Sequence, residues 1–225
     1  MLSRLSLQLS LILLSFSLSV ITSMAGPETR IIIDAGHGGK DEGAHWYGVR
    51  ESDLNLQVAK KLEALLLARN IPVTMTRRSD VFVPLAKRAE IANSYQNAIF
   101  VSIHFNAHRM TSIHGVETFY ASPAGKPIAM KIQKELVKLV ETRNRFIKRG
   151  LGYAVLNKTK CPAVLVECGF ISNPLERNRC KTGWYQMLAA RGIAQGLINS
   201  MSPLNQKKVS DEAGAAGEKA VVKSE

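Results

Sequence analysis

Apolar residues along this chain fall into two kinds of run, and the two alternate. Short runs rich in Val, Ile and Phe predict strands at Ile31–Asp34, Val73–Thr76, Ala98–His104, Gly115–Tyr120, Ala154–Leu156 and Ala163–Glu167. Between them, apolar residues recur every third or fourth position. Leu54, Val58, Leu62, Leu65 and Leu66 predict a helix over Glu51–Arg69, and Leu85, Ala89 and Ala92 predict one over Leu85–Asn93. Ile128, Ile132, Leu136, Leu139 and Val140 do the same for Lys126–Arg143, and a last helix is expected over Trp184–Ser200. Ser52 and Asp53 supply acceptors at the start of the first helix, and Asn70 stops it before Ile71-Pro72. Alternating strands and helices predict an α/β sheet with helices on both faces.

The ends of the chain read differently. Met1–Ala25 has one charge, Arg4, then a Leu-rich stretch, and Ser23-Met24-Ala25 ends it with small residues at the two positions a signal peptidase requires. A secretory signal peptide cleaved after Ala25 is expected, with an uncleaved membrane anchor as the alternative. Residues 202–225 hold few large apolar side chains and are expected to be a disordered tail. Residues 26–201 are left as one domain, long enough for a full core.

Charge narrows the partners. Lys and Arg number 30 against 18 acidic residues, a formal net charge of +12. That balance suits an anionic partner. The basic residues are scattered, without an aromatic RNA-binding motif or a helix-turn-helix, so nucleic acid is not expected. A charged cell-wall polymer or a membrane surface fits better. Cys161, Cys168 and Cys180 are the three cysteines, an odd number that leaves at least one free thiol in an exported protein. Cys168 lies in an apolar run and reads as a small buried hydrophobe, whereas a Cys161–Cys180 bridge stays open. With no C-x2-C pair, a thiolate zinc site is not expected.

The chemistry gathers at strand ends. Ile31–Ala44 reads IIIDAGHGGKDEGA, a buried strand running into a glycine-rich loop with His37 at its centre. No Lys-Ser/Thr follows the glycines, which excludes a P-loop. The strand Ala98–His104 delivers a second histidine, and Ala163–Glu167 ends on a carboxylate that needs a partner if buried. Glu51 opens a helix, where the macrodipole alone would favour it. Each histidine by itself reads more readily as a satisfied loop residue than as a metal ligand. Strand ends and one helix start thus offer His37, Glu51, His104 and Glu167; two histidines and one carboxylate are a catalytic zinc set with a position open for water, and Glu167 beside such a metal-bound water can act as general base.

The motifs DAGHGGKDEGA, RESDLNLQVAKKL, TRRSDVFVPLAKRAEIAN, FVSIHFNAH, GVETFY and PAVLVECGFISNPLE occur in this order between Arg30 and Ser200. They closely resemble the zinc-dependent N-acetylmuramoyl-L-alanine amidases of the AmiA/AmiB/AmiC type. The resemblance implies a single α/β domain with a twisted, mostly parallel sheet. It implies Zn2+ held by His37, Glu51 and His104, with Glu167 as the catalytic glutamate. The implied reaction is hydrolysis of the amide between N-acetylmuramic acid and the L-alanine of the peptidoglycan stem peptide. An exported, periplasmic or cell-envelope location follows.

Two departures shape the expectations. Many members open the helix with an acidic residue or the pair Glu-Lys, whereas here Ser52 follows Glu51 and the ligand is kept. Cell-division members carry an inserted helix that plugs the zinc site until an activator protein releases it. The segment Tyr120–Gly150 has room for one ordinary helix, so no plug is expected. No room remains for a separate wall-binding domain, which leaves targeting to the catalytic domain, its charge or a partner. Asp34 is a candidate to orient His37 or to cap a turn. Asn106, Glu117 and His114 are candidate substrate contacts, Arg88 and Arg149 structural or stem-peptide contacts, and His45 and His108 exposed loop residues. Two rival readings remain: a zinc peptidase cutting elsewhere in the stem, and a non-catalytic wall-binding regulator on the same fold.

Overall fold

The structure, a computed structural model, describes residues 28–201. The signal segment expected over Met1–Ala25 and the tail expected from Ser202 lie outside the described residues. The strands are β1 (Arg30–Ala35), β2 (His45–Trp46), β3 (Val49–Arg50), β4 (Val73–Met75), β5 (Ala98–Asn106), β6 (Val116–Tyr120), β7 (Asn144–Arg149) and β8 (Ala163–Phe170). The helices are α1 (Glu51–Leu67), α2 (Leu85–Asn93), α3 (Gly125–Val140), α4 (Ala154–Lys158), α5 (Pro174–Cys180) and α6 (Gly183–Ser200).

Six strands form one sheet in the order β4-β1-β5-β8-β6-β7, and β2 pairs with β3 as a separate ribbon. All neighbours in the large sheet are parallel except β6, which runs against β8. The sequence explains why. Strands covered on both faces need apolar residues at every position, and Ile31, Ile32 and Ile33 are all fully buried. Ile31 and Ile33 join the larger core with α1, α3 and α6, while Ile32 and Phe100 join a smaller core with α2 and α4. Helices therefore cover both faces. On the larger face α6 lies close against α3, because Gly192 and Gly196 present bare backbone to Leu136 and Ile132.

Several elements differ from expectation. Ala154–Leu156 is not a strand but part of α4. Its turn is closed by the Asn157 N–H donating to Tyr153 O at 3.1 Å and by Thr159 Oγ1 donating to Val155 O at 2.8 Å. An apolar pair such as Val155-Leu156 carries no periodicity that separates a single helical turn from a strand. The helix expected over Lys126–Arg143 stops at Val140, where Glu141 takes φ 48° in the left-handed region. The chain then returns as β7, a mostly polar edge strand whose pattern hides it from a hydrophobic scan. Helix α5 is a further addition to the expected elements, although Asn173 caps it by accepting from Glu176 N, with Pro174 at its first turn.

The cysteines are free thiols. Cys180 belongs to the larger core and Cys161 packs against the smaller one, on the opposite face of the sheet. That placement rules out the Cys161–Cys180 bridge.

Candidate metal centre

The site lies where β1, β5 and β8 end and α1 begins. His37 sits just past the end of β1 with φ 59°, a left-handed conformation that costs energy for a residue with a side chain. Two buried arginines hold that loop in place by its carbonyls. Arg77 donates from Nε to Ala35 O at 2.8 Å and from Nη2 to Gly36 O at 2.9 Å. Arg88 donates to Ala35 O at 2.6 Å and to His37 O at 2.7 Å. Arg88 in turn pairs with Asp34 at 2.7 Å, and both are at most 2% exposed. Asp34 also accepts from Thr76 Oγ1 and Ser102 Oγ, each at 2.6 Å. The expectation that Asp34 orients His37 needs correction: Asp34 acts on Arg88, and Arg88 grips the His37 backbone.

Glu51 is the hub. Its Oε1 lies 3.2 Å from His37 Nε2 and 2.7 Å from His104 Nδ1. Its Oε2 accepts from Ala44 N at 2.9 Å. Asn55 Nδ2, one turn along α1, bridges Glu51 Oε1 at 3.3 Å and Gly36 O at 3.1 Å. Burial opposes ionisation of Glu51, yet hydrogen bonding to His104 and His37 outweighs it and holds the carboxyl well below the usual carboxylate range. Burial likewise works against a charged His37, but Glu51 and Asp41 more than offset it and raise its proton affinity.

Glu167 is paired in register with His104 across β5 and with Glu117 across β6. It is 6% exposed, and its Oε2 is buried without a hydrogen-bond partner. Burial first, then the charges of Glu51 and Glu117, push its carboxyl well above the ordinary range. His37, Glu51, His104 and Glu167 line one open cleft of about 460 Å³, with Asn106 and Tyr153 on its walls. Tyr153 packs on Phe119 with ring centres 4.9 Å apart. Burial and the charges of Glu167, Glu117 and Glu51 push its hydroxyl up to about 12, so it stays protonated at neutral pH.

One ligand atom from each of His37, Glu51 and His104 falls within 4.8 Å of the others. Two imidazole nitrogens and one carboxylate oxygen fit zinc, which takes mixed nitrogen and oxygen donors, and fit calcium or magnesium poorly because those prefer oxygen alone. Asn106 lines the cleft and Glu117 lies beneath it, tied to Asn106 Nδ2 at 3.0 Å. The other candidates lie elsewhere. His114 bonds to Ser112 O at 3.0 Å beside a different depression, near Glu176. His45 pairs with Glu42 at 3.0 Å, and His108 Nδ1 accepts from Met110 N at 3.0 Å. Arg149 is exposed on edge strand β7. Sequence reasoning missed Arg77, Asn55 and Tyr153. Asn55 was within reach, one helical turn after Glu51 on the buried face of α1, whereas nothing local marks Tyr153.

A profile of the N-acetylmuramoyl-L-alanine amidases matches residues 31–199, nearly the whole described chain. The chain belongs to the N-acetylmuramoyl-L-alanine amidase family. The amidase LytC of Bacillus subtilis is 36% identical over 173 residues, a match covering 75% of this chain and 35% of LytC. The chain thus spans about a third of that relative. Among solved structures, the N-acetylmuramoyl-L-alanine amidase of Clostridium difficile 630 is 36% identical with a TM-score of 0.73, covering 76% of this chain and 96% of that one. The CwlD amidase of Clostridioides difficile, solved in complex with the GerS lipoprotein, is 33% identical with the same TM-score of 0.73, covering 76% and 97%. The α/β fold expected from the strand pattern, with the mostly parallel sheet that the family resemblance implied, is therefore shared with proteins of known structure.

Proposed function

We propose that this protein is a zinc-dependent N-acetylmuramoyl-L-alanine amidase that cleaves the amide between N-acetylmuramic acid and the L-alanine of the peptidoglycan stem peptide. The observation that carries the reading is the convergence of His37, Glu51 and His104 within 4.8 Å, with Glu167 in the same cleft. Zinc held by those three would polarise the scissile carbonyl and acidify a water. The remaining work falls to the protein. Glu167 Oε2, buried and without a hydrogen-bond partner, takes the proton of the attacking water. Glu167 then passes that proton to the departing alanine nitrogen.

The expected export signal over Met1–Ala25 assigns this activity to the periplasm or cell envelope, where its polymeric substrate lies. Among the described residues no helix is long and apolar enough to cross a membrane. The expected lack of a plug over the site is supported by the segment between β6 and Gly150: α3 and β7 occupy it, and neither lines the cleft.

The test is mass spectrometry of muropeptides after incubation with the zinc-loaded protein, with and without chelator, beside Glu167→Gln. Free stem peptides beginning at L-alanine, lost with chelator and with the variant, are the expected products. Shortened stems still attached to sugar would replace this reading with a peptidase. No product from folded, zinc-loaded protein would point to a wall-binding regulator.

A further inference from the structure

Beneath Asn106, beside the cleft and outside its lining, lies a charged cluster that the proposed chemistry does not use. Glu117 is 4% exposed and sits in register with Glu167. Its Oε1 accepts from Asn106, which lines the cleft. Its Oε2 accepts from Arg145 Nε at 3.1 Å and from Lys148 Nζ at 2.5 Å, both on β7. Two cations share one buried carboxylate, so one positive charge is left over.

Arg145 is the better placed of the two to use that charge. Its Nε is fixed on Glu117, and its guanidinium carbon stacks 5.1 Å from the centre of the Phe170 ring. Phe170 ends β8, the strand that carries Glu167. Among the described residues the two terminal nitrogens of Arg145 make no hydrogen bond, and its side chain is 23% exposed. A guanidinium tied at its inner nitrogen and stacked on one face presents its outer N–H pair in a set direction. That fork matches a planar carboxylate, and little ordering remains to be done on binding. Lys148 neutralises Glu117, which leaves the charge of Arg145 for a ligand. β7 lies two strand spacings from β8, roughly 10 Å at ~4.8 Å per spacing.

We propose that Arg145 recognises a carboxylate on the peptide side of the scissile amide, carried by the stem residue that follows L-alanine, and that Glu117 positions Arg145 for it. The proposal rests on the amidase reading and adds a substrate class to it: peptides with a free acid there, in preference to their amides.

The test uses two synthetic muramyl peptides that differ only in a carboxylate or a carboxamide on that residue, with the zinc-loaded protein and the variants Arg145→Ala, Arg145→Lys and Glu117→Gln. The wild type is expected to favour the acid. Arg145→Ala raises KM for the acid by roughly tenfold or more, as loss of a charge-assisted pair does, and leaves KM for the amide and both kcat values near wild type. Arg145→Lys restores part of the preference. Glu117→Gln reduces the preference in the same direction, a change in ratio that a purely structural role would not produce. Equal effects of Arg145→Ala on both substrates, or on neither, overturn the proposal. Cleavage of neither substrate by the wild type overturns the amidase reading, and the proposal with it.

Discussion

Gly36 lies so close to the His104 imidazole that a Cβ on it would overlap Cε1, Nε2 and Nδ1 of the ring. The loop after β1 therefore does two things. It carries His37, and its bare backbone forms the wall against which His104 rests.

Gly36→Ala is expected to displace the His104 ring while sparing the rest of the fold. Zinc affinity, read by competition with a chromophoric chelator, should weaken about 10–100-fold, the range seen when groups supporting a metal ligand are lost. Thermal melting of the metal-free protein should move far less. Wild-type affinity in this variant would show that the ring position does not matter.

Glu167→Gln separates binding from catalysis. Glu167 is not among the three residues that converge as a metal cluster. The variant should therefore bind one zinc per chain by elemental analysis while losing about 10²–10⁴-fold in kcat, the contribution of a positioned acid-base group. Loss of zinc in this variant would make Glu167 a ligand instead.

Arg88→Met strands Asp34 as a buried, unpaired carboxylate and releases the His37 carbonyl. A cost of about 3–5 kcal/mol in urea denaturation is expected. Asp34→Asn combined with Arg88→Met should cost less than the sum of the two single changes, because the pair is lost once. Additive costs would mean that the two residues act separately.

The thiols provide a check on the fold. Cys168 and Cys180 are fully buried, and burial pushes both well above the ordinary thiol range. Burial also raises Cys161, which remains partly exposed. Because only the thiolate reacts and all three titrate above the usual value, alkylation near pH 8 should be slow and confined to Cys161. All three should react after denaturation. Rapid labelling of Cys168 or Cys180 in the native protein would contradict the packing of β8 against α5 and α6.

The four residues that meet in the cleft stood out because each lies at or just past the end of an apolar run or opens an amphipathic one, and the family resemblance gave them their roles. What supports them was not legible. Arg77 reads as one more polar residue in the turn Arg77-Arg78-Ser79-Asp80, and nothing local shows that its guanidinium reaches the backbone carbonyls of Ala35, Gly36 and Ser52. Arg88 lies 54 residues from its partner Asp34. Among the elements, β7 escaped because an edge strand needs little apolar character, and α4 because one turn is too short for a period. The direction of β6 was invisible for a similar reason. Alternating side chains show that a segment is a strand and leave open which way its neighbour runs.

That direction divides responsibility within the molecule. Because β6 runs against β8, and β7 follows β6, the edge of the sheet that holds the cleft combines strand endings at β1, β5 and β8 with strand beginnings at β6 and β7. The endings, fixed by a core of fully buried isoleucines and a buried ion pair, tolerate little change. The beginnings stand toward the outer border of the sheet, where β7 is the edge strand and the segment 141–143 joining α3 to it carries no metal-binding side chain. A lineage, or an engineer, could alter which wall fragments this scaffold prefers by editing that border alone.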